Sequence, residues 1–183
     1  MNTKTIGIVV GSLRKESFNK KVAHFLTTVA PQNLTFQTIE IGDLPLYNQD
    51  FDEEGSPESY IRLRKEIKAL DAILFVTPEY NRSVPGVLKN ALDAASRPYG
   101  QNAWQGKPAA VVSVSIGNIS GFGANHHLRQ SLAYLDMPTM PQPEMYLGDI
   151  ANNLDEQGNF KDPKTIEFLT SFMDAFANWI NKF

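Results

Sequence analysis

Three short stretches of this chain concentrate the residue types that hold ligands. The first runs Gly11-Ser12-Leu13-Arg14-Lys15-Glu16-Ser17-Phe18-Asn19. Gly11 permits a tight turn and a close backbone approach. Ser12, Ser17 and Asn19 bring hydroxyl and amide donors. Arg14 adds a cation, worth about 1.5–3 kcal/mol in a well-aligned charged hydrogen bond. The second, Thr77-Pro78-Glu79-Tyr80-Asn81-Arg82, joins a rigid proline to an aromatic ring and an amide. The third, from Ser115 to Gly123, is rich in glycine, so its backbone can approach a flat ligand edge.

The first stretch follows an apolar run, Ile6-Gly7-Ile8-Val9-Val10, and leads into a helical pattern. Free N–H groups at a helix start, with the positive end of the helix dipole, favour a phosphate there. The stretch is not a Walker loop, because the second glycine and the lysine are missing. It is not a dinucleotide fingerprint either, since Gly11 is the only glycine in the turn. Glu40 could mimic the ribose-binding acid of that fold, but without the glycines the match fails. A serine-rich loop with one arginine suits a phosphomonoester better than a buried pyrophosphate.

The elements that must position these stretches follow from periodicity. Thr5 to Val10, Ala72 to Val76 and Ala109 to Val114 are continuous apolar runs, as expected of buried parallel strands. Leu34 to Ile41 alternates in part, and Pro138 to Leu147 carries three prolines, so both belong at sheet edges. Helical spacing marks Phe18 to Val29, Tyr60 to Leu70, a segment starting near Ser83, and another carrying Leu128, Leu132 and Leu135. A last helix opens at Asp162-Pro163 and carries Ile166, Leu169, Met173, Phe176 and Ile180; Trp179 reads as part of its packing. Gly42 to Gly55 reads as a long loop. The expected fold is an α/β three-layer sandwich, flavodoxin-like, with a five-stranded parallel sheet in the order 2-1-3-4-5. Periodicity alone leaves other strand orders open. A chain of 183 residues without linker or repeat reads as one domain over residues 1–183.

Composition narrows the function classes. The formal net charge is −3, and no basic stripe points to nucleic acid or to a membrane surface. The chain has no cysteine, which excludes disulfides, thiolate nucleophiles and cysteine-bound metal. His126 and His127 are adjacent and cannot share a helix face, so they make a poor metal site. Nothing reads as a signal peptide, and no apolar run reaches membrane-spanning length. A cytoplasmic protein that handles a small molecule is the expectation.

In open parallel sheets ligands lie beyond the carboxyl ends of the strands, at the switch in strand order. The three unusual stretches follow strands one, three and four, where they would converge. Phosphate donors at one end and a flat polar edge at the other describe FMN.

The stretches 11–19, Pro-Glu-Tyr-Asn (78–81) with Val-Pro-Gly-Val-Leu-Lys-Asn-Ala-Leu-Asp (84–93), and Ser-Ile-Gly (115–117) resemble the NAD(P)H-dependent FMN reductases. That family includes bacterial azobenzene, quinone and chromate reductases. The resemblance runs from about residue 5 to residue 147. It implies that Gly11, Ser12, Arg14, Ser17, Phe18 and Asn19 cradle the FMN phosphate. It implies that Pro78, Glu79, Tyr80 and Asn81 border the isoalloxazine ring, with Ser115 and Gly117 closing its polar edge. It further implies hydride transfer from NADPH or NADH, a quinone, azo compound, flavin or metal oxyanion as acceptor, and a homodimer or homotetramer. No protein acid or base is required, so no catalytic residue and no metal ligand is named. Arg82 and Arg97 are the cations that could meet a 2′-phosphate. Two departures stand out: Ser120-Gly121 where many members have Gly-Gly, and Ala94 where a tryptophan is common. A flavodoxin-type electron carrier without nicotinamide turnover is the alternative, and a flavin-free phosphate-binding module a third reading.

Overall fold

The computed structural model describes residues 3–183. In chain order the elements are β1 (Lys4–Val10), α1 (Phe18–Thr28), β2 (Leu34–Ile39), α2 (Asp50–Glu53), α3 (Glu58–Ala69) and β3 (Ala72–Thr77), then α4 (Gly86–Ala95), β4 (Ala109–Val114), α5 (Phe122–Tyr134), β5 (Met145–Leu147), α6 (Ile150–Asn153) and α7 (Pro163–Ile180). The strands form one sheet in the order β2-β1-β3-β4-β5, every pair parallel. This is the flavodoxin-like order that the apolar runs imply.

Alternation within each strand sends side chains to two separate apolar layers. Ile6, Ile8, Val10, Leu74, Val76 and Val112 pack with α1 and α7 on one face. Val9, Ile73, Phe75 and Val111 pack with α3, α4 and α5 on the other. All residues of β3 and β4 are buried, which fits central strands covered on both sides. β2 leaves Thr35, Gln37 and Thr38 exposed at one edge. β5 is only three residues long, because Pro138, Pro141 and Pro143 withhold ladder donors ahead of it.

Three local details differ from the periodicity reading. The Gly42 to Gly55 loop contains the short helix α2. α4 begins at Gly86 and not near Ser83, because Tyr80 and Ser83 exchange two backbone bonds of 3.0 Å in a turn of their own. α6 follows β5 where no helix is expected. The start of α7 is as the sequence implies: Asp162 accepts from Lys164 N at 3.3 Å and Thr165 N at 3.1 Å, with Pro163 in first position.

Candidate functional site

The loops after β1, β3 and β4 meet in a cleft of about 160 Å³ at the carboxyl end of the sheet. Its wall contains Ser12, Arg14, Ser17, Phe18 and Asn19 from the first loop, Pro78, Glu79 and Tyr80 from the second, and Ser115 from the third. Nine of the twelve residues named from the sequence therefore share one cavity. The other three lie beside it. Gly11 is buried beneath the first loop and donates its N–H to Val76 O at 2.9 Å. A Cβ on Gly11 would stand 3.0 Å from Thr77 Oγ1 and 3.3 Å from Leu88 Cδ2, so its role is close packing of β1 on β3. Asn81 occupies the tip of the second loop, and Gly117 the exposed bend of the third.

At the first loop the polar groups are unmatched. Ser17 and Asn19 are buried, yet Ser17 Oγ and Asn19 Oδ1 have no hydrogen-bond partner. Ser17 sits at the N-cap of α1 without using its hydroxyl as a cap. The first bond of the helix is Lys21 N to Ser17 O at 3.2 Å, so the N–H groups of Phe18, Asn19 and Lys20 precede it. Arg14 is exposed and, among the described residues, forms no ion pair. An orphaned buried hydroxyl costs about 1–3 kcal/mol. A bound phosphate removes that cost, since Ser17 can donate to it. The Asn19 amide can donate as well when turned with Nδ2 inward. These residues fit the phosphate of FMN.

The other two loops are braced by hydrogen bonds of their own. Asn81 (φ 51°) and Arg82 (φ 65°) are both left-handed between Tyr80 and Ser83, the backbone of a tight two-residue hairpin turn. In the third loop Gly117 N donates to Ser115 Oγ at 3.0 Å and Ser120 N donates to Gly117 O at 3.1 Å. Ser113 Oγ donates to Ser120 O at 2.8 Å. Ser120 (φ 61°) and Gly121 (φ 73°) then turn the chain into α5. At Gly121 a Cβ would lie 2.9 Å from Ser113 Cβ. Ser120 accepts a left-handed conformation that favours glycine. Strained φ values of this kind gather at functional sites.

Sequence reasoning missed Val114, Ile116 and Ile150 in the wall. Val114 and Ile116 flank the named Ser115. Ile150 lies just past β5 and donates its N–H to Ser115 O at 3.2 Å; the proline-rich approach to β5 hides the fact that a fourth strand end faces the same cleft. The two arginines considered for a 2′-phosphate differ. Arg82 is 68% exposed next to Tyr80 and pairs with Glu79 at 3.1 Å. Arg97 lies outside the cleft wall and donates from Nε to Asp52 Oδ2 at 2.8 Å, a bond that pushes its pKa up. His126 and His127 take separate partners, Tyr146 Oη and Ser83 Oγ, each at 3.0 Å. The Tyr146 hydroxyl is pushed up to about 12, first by burial and then by its hydrogen bond with Glu144.

The chain is similar to known proteins over most of its length. The family described as NADPH-dependent FMN reductase matches residues 4–152. The chain is 60% identical over 176 residues to a quinone reductase of Pseudomonas putida, covering 96% of this chain and 94% of the relative. It is 49% identical over 175 residues to a 2-hydroxy-1,4-benzoquinone reductase of a Burkholderia species, covering 96% and 95%. Among solved structures, FerB, a flavoenzyme NAD(P)H:(acceptor) oxidoreductase from Paracoccus denitrificans, superposes with a TM-score of 0.92 at 46% identity over 98% of both chains. A match over this much of the sequence leaves one assignment: the chain belongs to the NADPH-dependent FMN reductase family.

Proposed function

We propose that this chain is an FMN-dependent NAD(P)H oxidoreductase whose acceptor is a quinone. The observation that carries the reading is the pair of orphaned buried atoms, Ser17 Oγ and Asn19 Oδ1, in the wall of a cleft at the strand ends. FMN, when bound, supplies the redox chemistry, taking hydride from the nicotinamide and giving electrons to the acceptor. The quinone preference rests on the named activities of the two similar relatives.

Each part of the site then has a task. Ser17, Asn19, Arg14 and the free N–H groups of α1 hold the phosphate. The cleft is smaller than the roughly 300–1,000 Å³ of sites that enclose a whole ligand. Its first-loop end would take the narrow end of the mononucleotide, and the ring would meet the walls formed by the second and third loops, where Tyr80 and Ile116 are exposed. Unpaired backbone N–H groups of the Ser115–Gly121 loop would stabilise negative charge on the ring's polar edge. No side chain in the wall has to move a proton, which suits chemistry carried by a cofactor.

Leu13, Tyr80, Ile116, Ile119 and Phe122, in the three loops and at the start of α5, are each at least half exposed. Apolar exposure of this kind favours contact with a further surface. We infer a homodimer or homotetramer in which a second copy helps to close the ring end; light scattering that returned a monomer at assay concentration would remove that part.

The test of function is direct. The purified protein should carry or take up FMN, lose its yellow colour when NADPH or NADH is added without air, and consume nicotinamide steadily with a benzoquinone. A protein that binds FMN but turns over no nicotinamide would be an electron carrier, and one that cannot be loaded with FMN would end the reading.

A further inference from the structure

Glu79 stands in the cleft wall, yet both of its carboxylate oxygens are engaged by the protein. Oε2 accepts the N–H of Ala124 at 3.1 Å, and Oε1 accepts from Arg82 Nη1 at 3.1 Å. The side chain is only 10% exposed. Ala124 lies in the first turn of α5, whose N-cap residue, Gly121, has no side chain to offer. Glu79 therefore caps α5 from a different loop and sets a negative charge at the positive end of its dipole.

Two other contacts press the same surfaces together. Ser83 Oγ and His127 Nδ1 are 3.0 Å apart. At Gly123 a Cβ would lie 2.7 Å from Arg82 O and 3.0 Å from Glu79 Oε2, so a glycine is what lets the turn come this close. Meanwhile α5 continues straight out of the Ser115–Gly121 loop. One helix end thus carries both walls of the ring half of the cleft.

We propose that Glu79 is a positioning residue: it fixes the gap between the Tyr80–Arg82 turn and the Ser115–Gly121 loop, and so sets the affinity for the flavin ring without binding the cofactor itself. The proposal rests on the FMN reading above. It places the effect of Glu79 on the ring half alone, because the phosphate half is built on β1 and α1.

The experiment is a fluorescence titration of flavin-stripped protein with FMN and, separately, with riboflavin, which lacks the phosphate. Glu79→Ala should weaken both flavins by the same factor, about tenfold for the loss of a cap-strength contact, and shift the visible band of the bound flavin. Glu79→Gln keeps an oxygen facing Ala124 N and should recover most of the affinity. Gly123→Ala pushes the turn away from the other side and should reproduce the loss; if Glu79→Ala fails to fold, this variant decides in its place. Unchanged affinity in Glu79→Ala and in Gly123→Ala would overturn the proposal. So would a loss confined to FMN, or a Glu79→Gln as weak as the alanine. A wild-type protein that bound neither flavin would instead sink the cofactor reading, and the proposal with it, before any variant was made.

Discussion

The two ends of the cleft are built on opposite principles. At the first loop the protein leaves groups unpaired: the Ser17 hydroxyl, the Asn19 amide, whose oxygen has no partner and which donates only when turned, and the opening N–H groups of α1. At the second and third loops several polar groups bond to one another or to α5, and the backbone holds left-handed residues in place. One end has unmet hydrogen bonds that a ligand can complete. The other is shaped in advance, and a ligand meets it mostly through fit. An anion can be held by charge and donors alone, whereas a flat ring needs two walls at a fixed distance.

The largest effect that would sharpen this contrast is at Arg14. Arg14→Ala should weaken FMN about 10- to 100-fold, the worth of one charged hydrogen bond, and leave riboflavin binding where it was. Equal loss for both flavins would erase the distinction between the ends. Gly121→Ala attacks the shaped end through its scaffold. A side chain there meets both the positive φ and the Ser113 Cβ at 2.9 Å, and should cost about 1–3 kcal/mol of stability. Thermal unfolding should register that as a fall of about 2–4 °C per kcal/mol for a chain of this size; an unchanged midpoint would mean that the bend is not under constraint.

Ser17→Ala separates the ends in a subtler way. Removing an orphaned hydroxyl should leave the flavin-free protein as stable as before or more so, by about 1 kcal/mol. The same change should weaken FMN about two- to tenfold. A flavin-free protein destabilised by this change would show that Ser17 is satisfied after all.

The unmatched end was legible in the sequence, and the shaped end was legible only in outline. Serine, asparagine and arginine after an apolar strand announce an anion by their chemistry, and the nine residues from Gly11 to Asn19 are enough to see it. Pro78, Glu79 and Tyr80 could be placed near a ring, but the cap that Glu79 gives to Ala124 joins residues 45 apart and has no local signal. The left-handed pair Asn81-Arg82 is similarly hidden, because arginine gives no hint of positive φ. Which strands are central and which lie at the edges could be read from the apolar runs, which left the exact order among them open. The late start of α4 did not, because helical periodicity through Val84 and Val87 runs on past the point where Tyr80 and Ser83 bond to each other. α6 and Ile150 were lost behind the prolines before β5.

The smallest expected effect lies away from both ends and serves as a control. Asp162 caps α7, and hydrogen bonds from Thr165 and Lys164 hold its carboxyl below the usual range. A folded-state pKa lowered in this way adds stability above the unfolded value and loses it as pH falls through the folded one. Wild type should therefore be slightly more stable than Asp162→Asn at neutral pH. The gap should close below about pH 4, with flavin binding alike in the two. A gap that widened in acid would reverse the assigned sign.

The claim that matters most is that one end of the cleft waits for an anion while the other is ready for a ring. A crystal structure of the protein grown with FMN tests it directly. The account predicts the phosphate within hydrogen-bonding distance of Ser17 Oγ and the Asn19 amide, the isoalloxazine between Tyr80 and the Ser115–Gly121 loop, and the second and third loops unmoved. A phosphate seated away from Ser17 and Asn19, or a ring that lay elsewhere, would contradict it.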